Sequence, residues 1–241
     1  MELRVIGSSS RGNGYILDNG DEALIIEAGV KFTDIKKALG FNIRKVAGCL
    51  VTHEHNDHAE QVGSIVKAGI YTLALPEVFA AKGCAGEQAA IEVEPGKGYR
   101  LGNFKVMPFA GWHDVPCVGY IIHHPAMGKM LFLTDSGSCA YRFSGLNHVL
   151  IECNYTDDAL QRAIEEGRTL IFQKNRLMTT HMGLETCKRF LSNTDLAKVR
   201  EIVLLHGSEN NGDEAAFLSE ISGQTGKPVY IAKPGLTLDL M

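Results

Sequence analysis

The sequence predicts an α/β protein in which two β-sheets carry helices on their outer sides. Two observations point there. Short apolar, strand-like runs alternate with helical ones, with strands crowding the first half and mixed helices and strands the second. The 241 residues are 45% hydrophobic and 22% charged, which suits a globular chain long enough for a sizeable core. No linker, low-complexity tract or internal repeat interrupts the pattern, so residues 1–241 are expected to form a single domain.

The elements follow in order. Residues 3–6, 15–17 and 23–27 read as short strands split by Gly- and Ser-rich turns. Residues 32–39 read as a helix closed by Gly40. Residues 48–51 are a buried strand, followed by a histidine-rich loop and a helix near 59–68. A short strand over 71–75 ends at Pro76. Strands are expected over 99–101, 104–109, 118–123, 130–134 and 147–152. A helix over 157–166 has Thr156 or Asp157 as its cap. Helix 184–191, strand 201–205, helix 214–221 and strands 228–232 and 236–240 complete the chain.

Net charge is −4, with a pI near 6.1, so no global basic footprint marks a nucleic-acid binder. Any such binding must rest on local patches and metals. Six cysteines form no C-x-x-C pair, and several lie in apolar runs, which points to reduced thiols in a cytoplasmic protein. The opening Met1-Glu2-Leu3-Arg4-Val5 does not read as a signal peptide. No apolar stretch approaches the ~20 residues that span a bilayer.

The segment Thr52-His53-Glu54-His55-Asn56-Asp57-His58-Ala59 carries the chemistry. His53 and His55 are two apart, so an extended backbone aims both to the same side. Asp57 and His58 come where the chain turns toward a helix, and can face a second point nearby. Imidazole suits zinc and its neighbours, and carboxylate adds hard-oxygen character. One short segment can therefore serve two adjacent metal ions. Further candidates end apolar runs: His113 after 104–109, Asp135 after Leu131-Phe132-Leu133-Thr134, and His206 after Ile202-Val203-Leu204-Leu205. Alone, each fits a cap or a surface group equally well. Together with the histidine segment they point to one shared metal site.

These residues resemble the metallo-β-lactamase fold superfamily: His53-x-His55-x-Asp57-His58, then His113, Asp135 and His206, in the family's order and over nearly the whole chain. Closer similarity is to its YycJ/WalJ-like branch and phage relatives. Gly7-Ser8-Ser9-Ser10-Arg11-Gly12-Asn13, Trp112-His113-Asp114, Thr134-Asp135-Ser136-Gly137 and Glu152-Cys153-Asn154-Tyr155 look like motifs of that branch. The resemblance implies an αββα four-layer sandwich and two divalent metal ions, zinc or manganese. It implies that His53, His55 and His113 hold one ion and Asp57, His58 and His206 the other, with Asp135 bridging. The branch is associated with nuclease activity on DNA. The stretch from His181 to His206 is also similar to ribonuclease Z, which implies that His181 contacts the scissile phosphate or protonates the leaving oxygen. Where the family usually has an aspartate ending an early strand, this chain has Glu27, whose longer side chain can still hold a ligand in place. The chain has no room for the inserted domain of ribonuclease J and no long Gly/Pro-rich arm like that of ribonuclease Z.

The expected function is a dinuclear metal-dependent phosphodiesterase or exonuclease acting on DNA, with Asp57 and His181 as catalytic residues. Two metals roughly 3.5–4 Å apart lower the pKa of a shared water and clamp a phosphate. A basic set of Arg11, Lys129, Arg142, Lys174 and Arg176 offers guidance to a nucleic-acid backbone or other phosphodiester. The alternative is a hydrolase of a lactone, thioester or β-lactam at the same centre, which needs neither His181 nor a basic rim. A di-iron redox protein of this fold is disfavoured by His55, where an H-x-E-x-D pattern is usual. An inactive metal-binding module is disfavoured by the complete ligand set. His123, His124 and His148 are read as structural or surface residues.

Overall fold

Fourteen strands and eight α-helices are seen in the computed structural model of the protein, which describes residues 1–208 and 210–240. Glu209 and Met241, within the expected span 1–241, lie outside the described residues. In chain order they are β1 (Glu2–Ser9), β2 (Gly12–Asp18), β3 (Ala23–Ile26), α1 (Phe32–Ala38), β4 (Val46–Leu50), α2 (Asn56–Ala59), α3 (Val62–Lys67), β5 (Thr72–Ala74) and α4 (Pro76–Ala81). Then come β6 (Ala90–Glu92), β7 (Tyr99–Leu101), β8 (Phe104–Ala110), β9 (Val118–His124), β10 (Gly128–Leu133) and β11 (His148–Glu152). The chain continues with α5 (Asp157–Glu165), α6 (Ile171–Thr180), α7 (Leu184–Ser192), β12 (Glu201–Leu205), α8 (Glu214–Thr225), β13 (Val229–Ile231) and β14 (Thr237–Asp239).

The strands make two seven-stranded mixed sheets, ordered β14-β1-β2-β3-β4-β5-β6 and β13-β12-β11-β10-β9-β8-β7. With helices flanking them, the fold class is the α/β sandwich expected. Backbone contacts divide the chain into two units. The first holds Met1–Ala110, Val115–Gly128 and Lys233–Met241, and the second Gly111–Asp114 and Lys129–Ala232.

In the first unit, β1, β2 and β3 pair antiparallel, and β3, β4, β5 and β6 run parallel. Strands β2 and β3 are buried along their whole length, as parallel and central strands with both faces covered must be. Strand β1, between the edge strand β14 and β2, alternates instead, with Leu3 and Val5 inside and Glu2 and Arg4 half-exposed. In the second unit, β10, β11, β12 and β13 run parallel, and β11 is buried from His148 to Glu152. The parallel register sets Glu152 beside Leu205, so consecutive strands end together. That shared edge is where ligands collect in open α/β sheets.

Four elements differ from the sequence reading, the first being β6, three residues for which no strand was expected. The helix expected over 59–68 is two pieces, α2 and α3, because the Gln61 N–H is spent on Ala28 O at 2.8 Å. Pro76 does not simply end a strand but opens α4 at its first turn, where its missing N–H costs nothing. Helix α6 was not expected at all. Ile171 and Phe172 are 73% and 71% exposed, so it lacks the core-facing apolar stripe that marks a helix in a sequence. Thr156 does cap α5, accepting from Ala159 N at 3.1 Å.

His124 and His148 are buried and serve packing. His124 pairs with Glu22 at 2.9 Å, and His148 binds Glu201. All six cysteines are free thiols. Among the described residues, no helix is long and apolar enough to cross a membrane.

Asp18, 3% exposed, accepts from Lys45 Nζ at 2.6 Å and Gly20 N at 2.9 Å, with Arg4 Nη1 3.1 Å away. Burial alone would raise its pKa, but Lys45, the Gly20 N–H and Arg4 outweigh it and hold the carboxyl below its ordinary 3.8. A depressed carboxylate stabilises the fold above its unfolded pKa and loses that effect as pH falls through the folded one. Asp18→Asn is therefore expected to destabilise the protein by about 2 kcal/mol at pH 7. Urea unfolding should show the wild-type and variant midpoints converging once the pH drops below Asp18's folded pKa.

Candidate metal centre

In the first unit, the histidine segment leaves the buried end of β4 in a rigid frame. The Tyr120 hydroxyl donates to Val51 O at 2.7 Å, and Val118 N donates to Thr52 O at 3.0 Å. His53 is buried, with Nδ1 3.0 Å from Thr52 Oγ1 and Nε2 3.1 Å from His55 Nδ1. The two imidazoles meet as the two-residue spacing predicted, with centroids 4.7 Å apart. The turn into α2 then brings back His58, whose ring lies 4.3 Å from that of His53.

Two buried side chains brace this turn. Glu27 lies with one oxygen 3.5 Å from His58 Nδ1 and the other 3.4 Å from Thr52 N. The longer glutamate thus still reaches the histidine segment. Asn13 Nδ2 lies 3.1 Å from Asp57 O and 3.0 Å from His58 Nε2. Asp57 itself is half-buried, with Oδ2 3.4 Å from His58 Nε2. Gly29 passes so close that a Cβ there would sit 1.7 Å from Asp57 O.

In the second unit, Asp135, Glu152, His181 and His206 each offer a ligand atom, all within 4.8 Å of one another. Glu152 is central. It is wholly buried and accepts from Ser136 N at 3.1 Å, Met182 N at 3.0 Å and His181 Nδ1 at 2.7 Å. His206 follows β12 and is held through its carbonyl by Asn154 Nδ2 at 2.7 Å. Its ring stacks on that of His181, centroids 5.4 Å apart. His113 Nδ1 lies 2.9 Å from Thr180 O. A hydrogen on Nδ1 suits the carbonyl, while Nε2 lies 3.1 Å from Asp114 Oδ1.

The electrostatics agree. Burial would lower the His181 pKa, but the Glu152 charge and hydrogen bond, with Asp135 behind them, carry it above its ordinary 6.5. Burial would raise Glu152, and the His181 charge and hydrogen bond bring it below the usual range. His113 moves the other way: burial lowers it and outweighs the nearby carboxylates. Of four non-glycine residues with left-handed backbone among the described residues, three are Glu27, Asp135 and His206, at φ 65, 45 and 52. Each sits at or just past a strand end, where that turn redirects the chain and costs about 1–3 kcal/mol.

Buried imidazoles and carboxylates, already oriented through hydrogen bonds, are the donor set that divalent metals require. The residues expected from the sequence therefore gather as His53, His55, Asp57 and His58 in one unit and His113, Asp135, His181 and His206 in the other. Glu152, Asn154 and Asn13 were not singled out as site residues. The signal for Glu152 was present: a carboxylate ending a fully apolar strand, as for Asp135. Within the basic set, Arg176 is bound through Nε and Nη2 to Asp114 at 3.0 and 2.7 Å, and Lys129 to Ser144 O at 3.1 Å.

Comparison with known proteins identifies the family. The family model described as the metallo-beta-lactamase superfamily matches residues 10–136. Exodeoxyribonuclease YycJ of Bacillus anthracis is 26% identical over 234 residues, 91% of this chain and 87% of that protein. Exodeoxyribonuclease WalJ of Streptococcus pneumoniae is 24% identical over 239 residues, 92% and 87% of the two. Among solved structures, the metallo-beta-lactamase fold protein YhfI from Bacillus subtilis superposes with a TM-score of 0.72 at 17% identity, over 99% of both chains. Human tRNase Z, short form, gives 0.64 at 12% identity over the whole of both.

Two substitutions test this framework. Gly29→Ala should displace the turn that carries Asp57 and His58, destabilise the protein by about 1–3 kcal/mol and lower bound metal per chain. Gly63→Ala, whose added Cβ comes no nearer than 3.6 Å to another atom, is the matched control. Urea unfolding and elemental analysis read both. Glu152→Gln should lower the His181 pKa, because a neutral amide no longer favours the imidazolium. Proton NMR titration of the metal-free protein measures it.

Proposed function

The chain belongs to the metallo-beta-lactamase superfamily, in its YycJ/WalJ-like branch, and is a metal-dependent hydrolase; we propose that it is an exonuclease that hydrolyses phosphodiesters of DNA. The observation that carries the reading is His181, held at 2.7 Å by Glu152 in a cluster of buried donors. The leaving oxygen of a phosphodiester departs as an alkoxide and takes a proton, which His181 is placed to give. A thioester leaves as a stable thiolate and makes no such call. The names of the two bacterial relatives, matched over 87% of their length, support DNA as the substrate.

The proposed ligands are those the family's order implies. His53, His55 and His113 hold one divalent ion, and Asp57, His58 and His206 the other, with Asp135 shared. The mixed imidazole and carboxylate donors suit zinc or manganese. Two such ions, when bound, supply Lewis acidity that activates water and offsets phosphate charge. Glu27 and Asn13 orient the histidine segment. Glu152 holds His181 by Nδ1, leaving Nε2 to give its proton to the leaving oxygen. Free thiols throughout suit a reducing cytoplasm.

End-labelled DNA with added Mn²⁺ or Zn²⁺ is the assay. Asp57→Ala should lose both cleavage and metal. His181→Ala should keep its metal and lower kcat by about 10²–10⁴. Metal-loaded wild type that leaves DNA intact and turns over a lactone or thioester would overturn the nuclease reading.

A further inference from the structure

We propose that Trp112 is a stacking platform for an unpaired nucleobase of the strand being cleaved. The inference rests on the nuclease reading above and adds to it the part of the substrate that is recognised.

Trp112 is the only tryptophan of the chain, and it is 65% exposed. Its backbone is not free to move with its side chain. Its N–H donates to Ser136 Oγ at 2.9 Å, and its carbonyl accepts from Gly137 N at 2.9 Å. Ser136 N in turn donates to Glu152 Oε2, so one network holds Trp112 and His181. Gly137 is pressed against the end of α6, where a Cβ would lie 2.2 Å from Thr179 O, two residues before His181. The base of the indole is therefore fixed relative to His181, while most of the residue's surface meets water.

Its position is specific. The next residue is His113, whose ring lies 5.5 Å from that of His181. Beyond it, Asp114 holds the Arg176 guanidinium, whose side chain is 68% exposed. Phe172 is equally exposed but sits nine residues before His181, about 13 Å along α6. The groups that follow Trp112 in the chain, and the cation they hold, are imidazole, carboxylate and guanidinium.

A planar, uncharged, aromatic ligand fits such a surface. Every nucleobase has a π-face, and aromatic side chains take successive bases this way without regard to sequence. A base inside a duplex hides that face, so the platform selects a strand end or a single-stranded stretch. With a net charge of −4, the protein has little general attraction for polyphosphate, which makes a contact to the base more valuable.

The indole also provides the readout, since emission from the chain's single tryptophan reports on Trp112 alone. The zinc-loaded full chain is titrated with a labelled phosphorothioate oligothymidylate that resists cleavage, and with an abasic strand of equal length and charge. The oligothymidylate should quench tryptophan emission and, by anisotropy, bind about tenfold more tightly than the abasic strand. Trp112→Ala should abolish that preference, and Trp112→Phe should keep most of it. Equal binding of both strands with unchanged emission would overturn the stacking role and leave the nuclease reading standing. Failure to bind either strand, with no cleavage of DNA, would remove the nuclease reading and the stacking role with it.

Discussion

Glu152 ties three segments of the second unit together. Its carboxylate ends a strand buried on both faces, where an ionised group without partners would be intolerable. The partners come from two other segments: Ser136 N after β10, and Met182 N and His181 Nδ1 after α6. Removing the carboxylate would orphan two buried N–H groups and take from the half-buried His181 ring its carboxylate partner. A single desolvated charge thus pins the loop behind Asp135, the chain at His181 and, through Ser136, the backbone of Trp112. Glu27 plays a matching part in the first unit, between Thr52 N and His58.

The same logic explains where backbone strain is stored. Glu27, Asp135 and His206 all adopt left-handed conformations that cost L-residues energy. In each case a strand has just ended, and the turn swings a polar side chain back toward its neighbours instead of out into water. Hydrogen bonds donated by Thr52 N to Glu27, by Thr134 Oγ1 to Asp135 and by Asn154 Nδ2 to His206 offset the cost. The strain is evidence of pre-organisation: donors are held near one another before any ion arrives, which lowers the entropy lost on binding.

Charge is handled locally. The chain is slightly acidic overall, and Arg176, the cation nearest the candidate site in sequence, is already bound to Asp114. Long-range attraction of polyphosphate is therefore weak, and on the proposed reading recognition falls to the oriented donors and to an exposed indole.

The sequence by itself determined the alternation of elements, the strand ends at which polar residues break apolar runs, and the donor types at His53, His55, Asp57, His58, His113, Asp135 and His206. It could do so because burial forces strands to be apolar, so a histidine or carboxylate at a strand end stands out. Short or surface-lying elements escaped it: β6 is three residues long, and α6 keeps Ile171 and Phe172 in water, so neither leaves a periodic trace. Only the tertiary structure decided that Glu152 is the hub, that Asn13 braces Asp57 across 44 residues of chain, and that Trp112 stands exposed on a fixed backbone. Those facts depend on which segments meet in space, and no local pattern of residues encodes the meeting of parts so far apart in the chain.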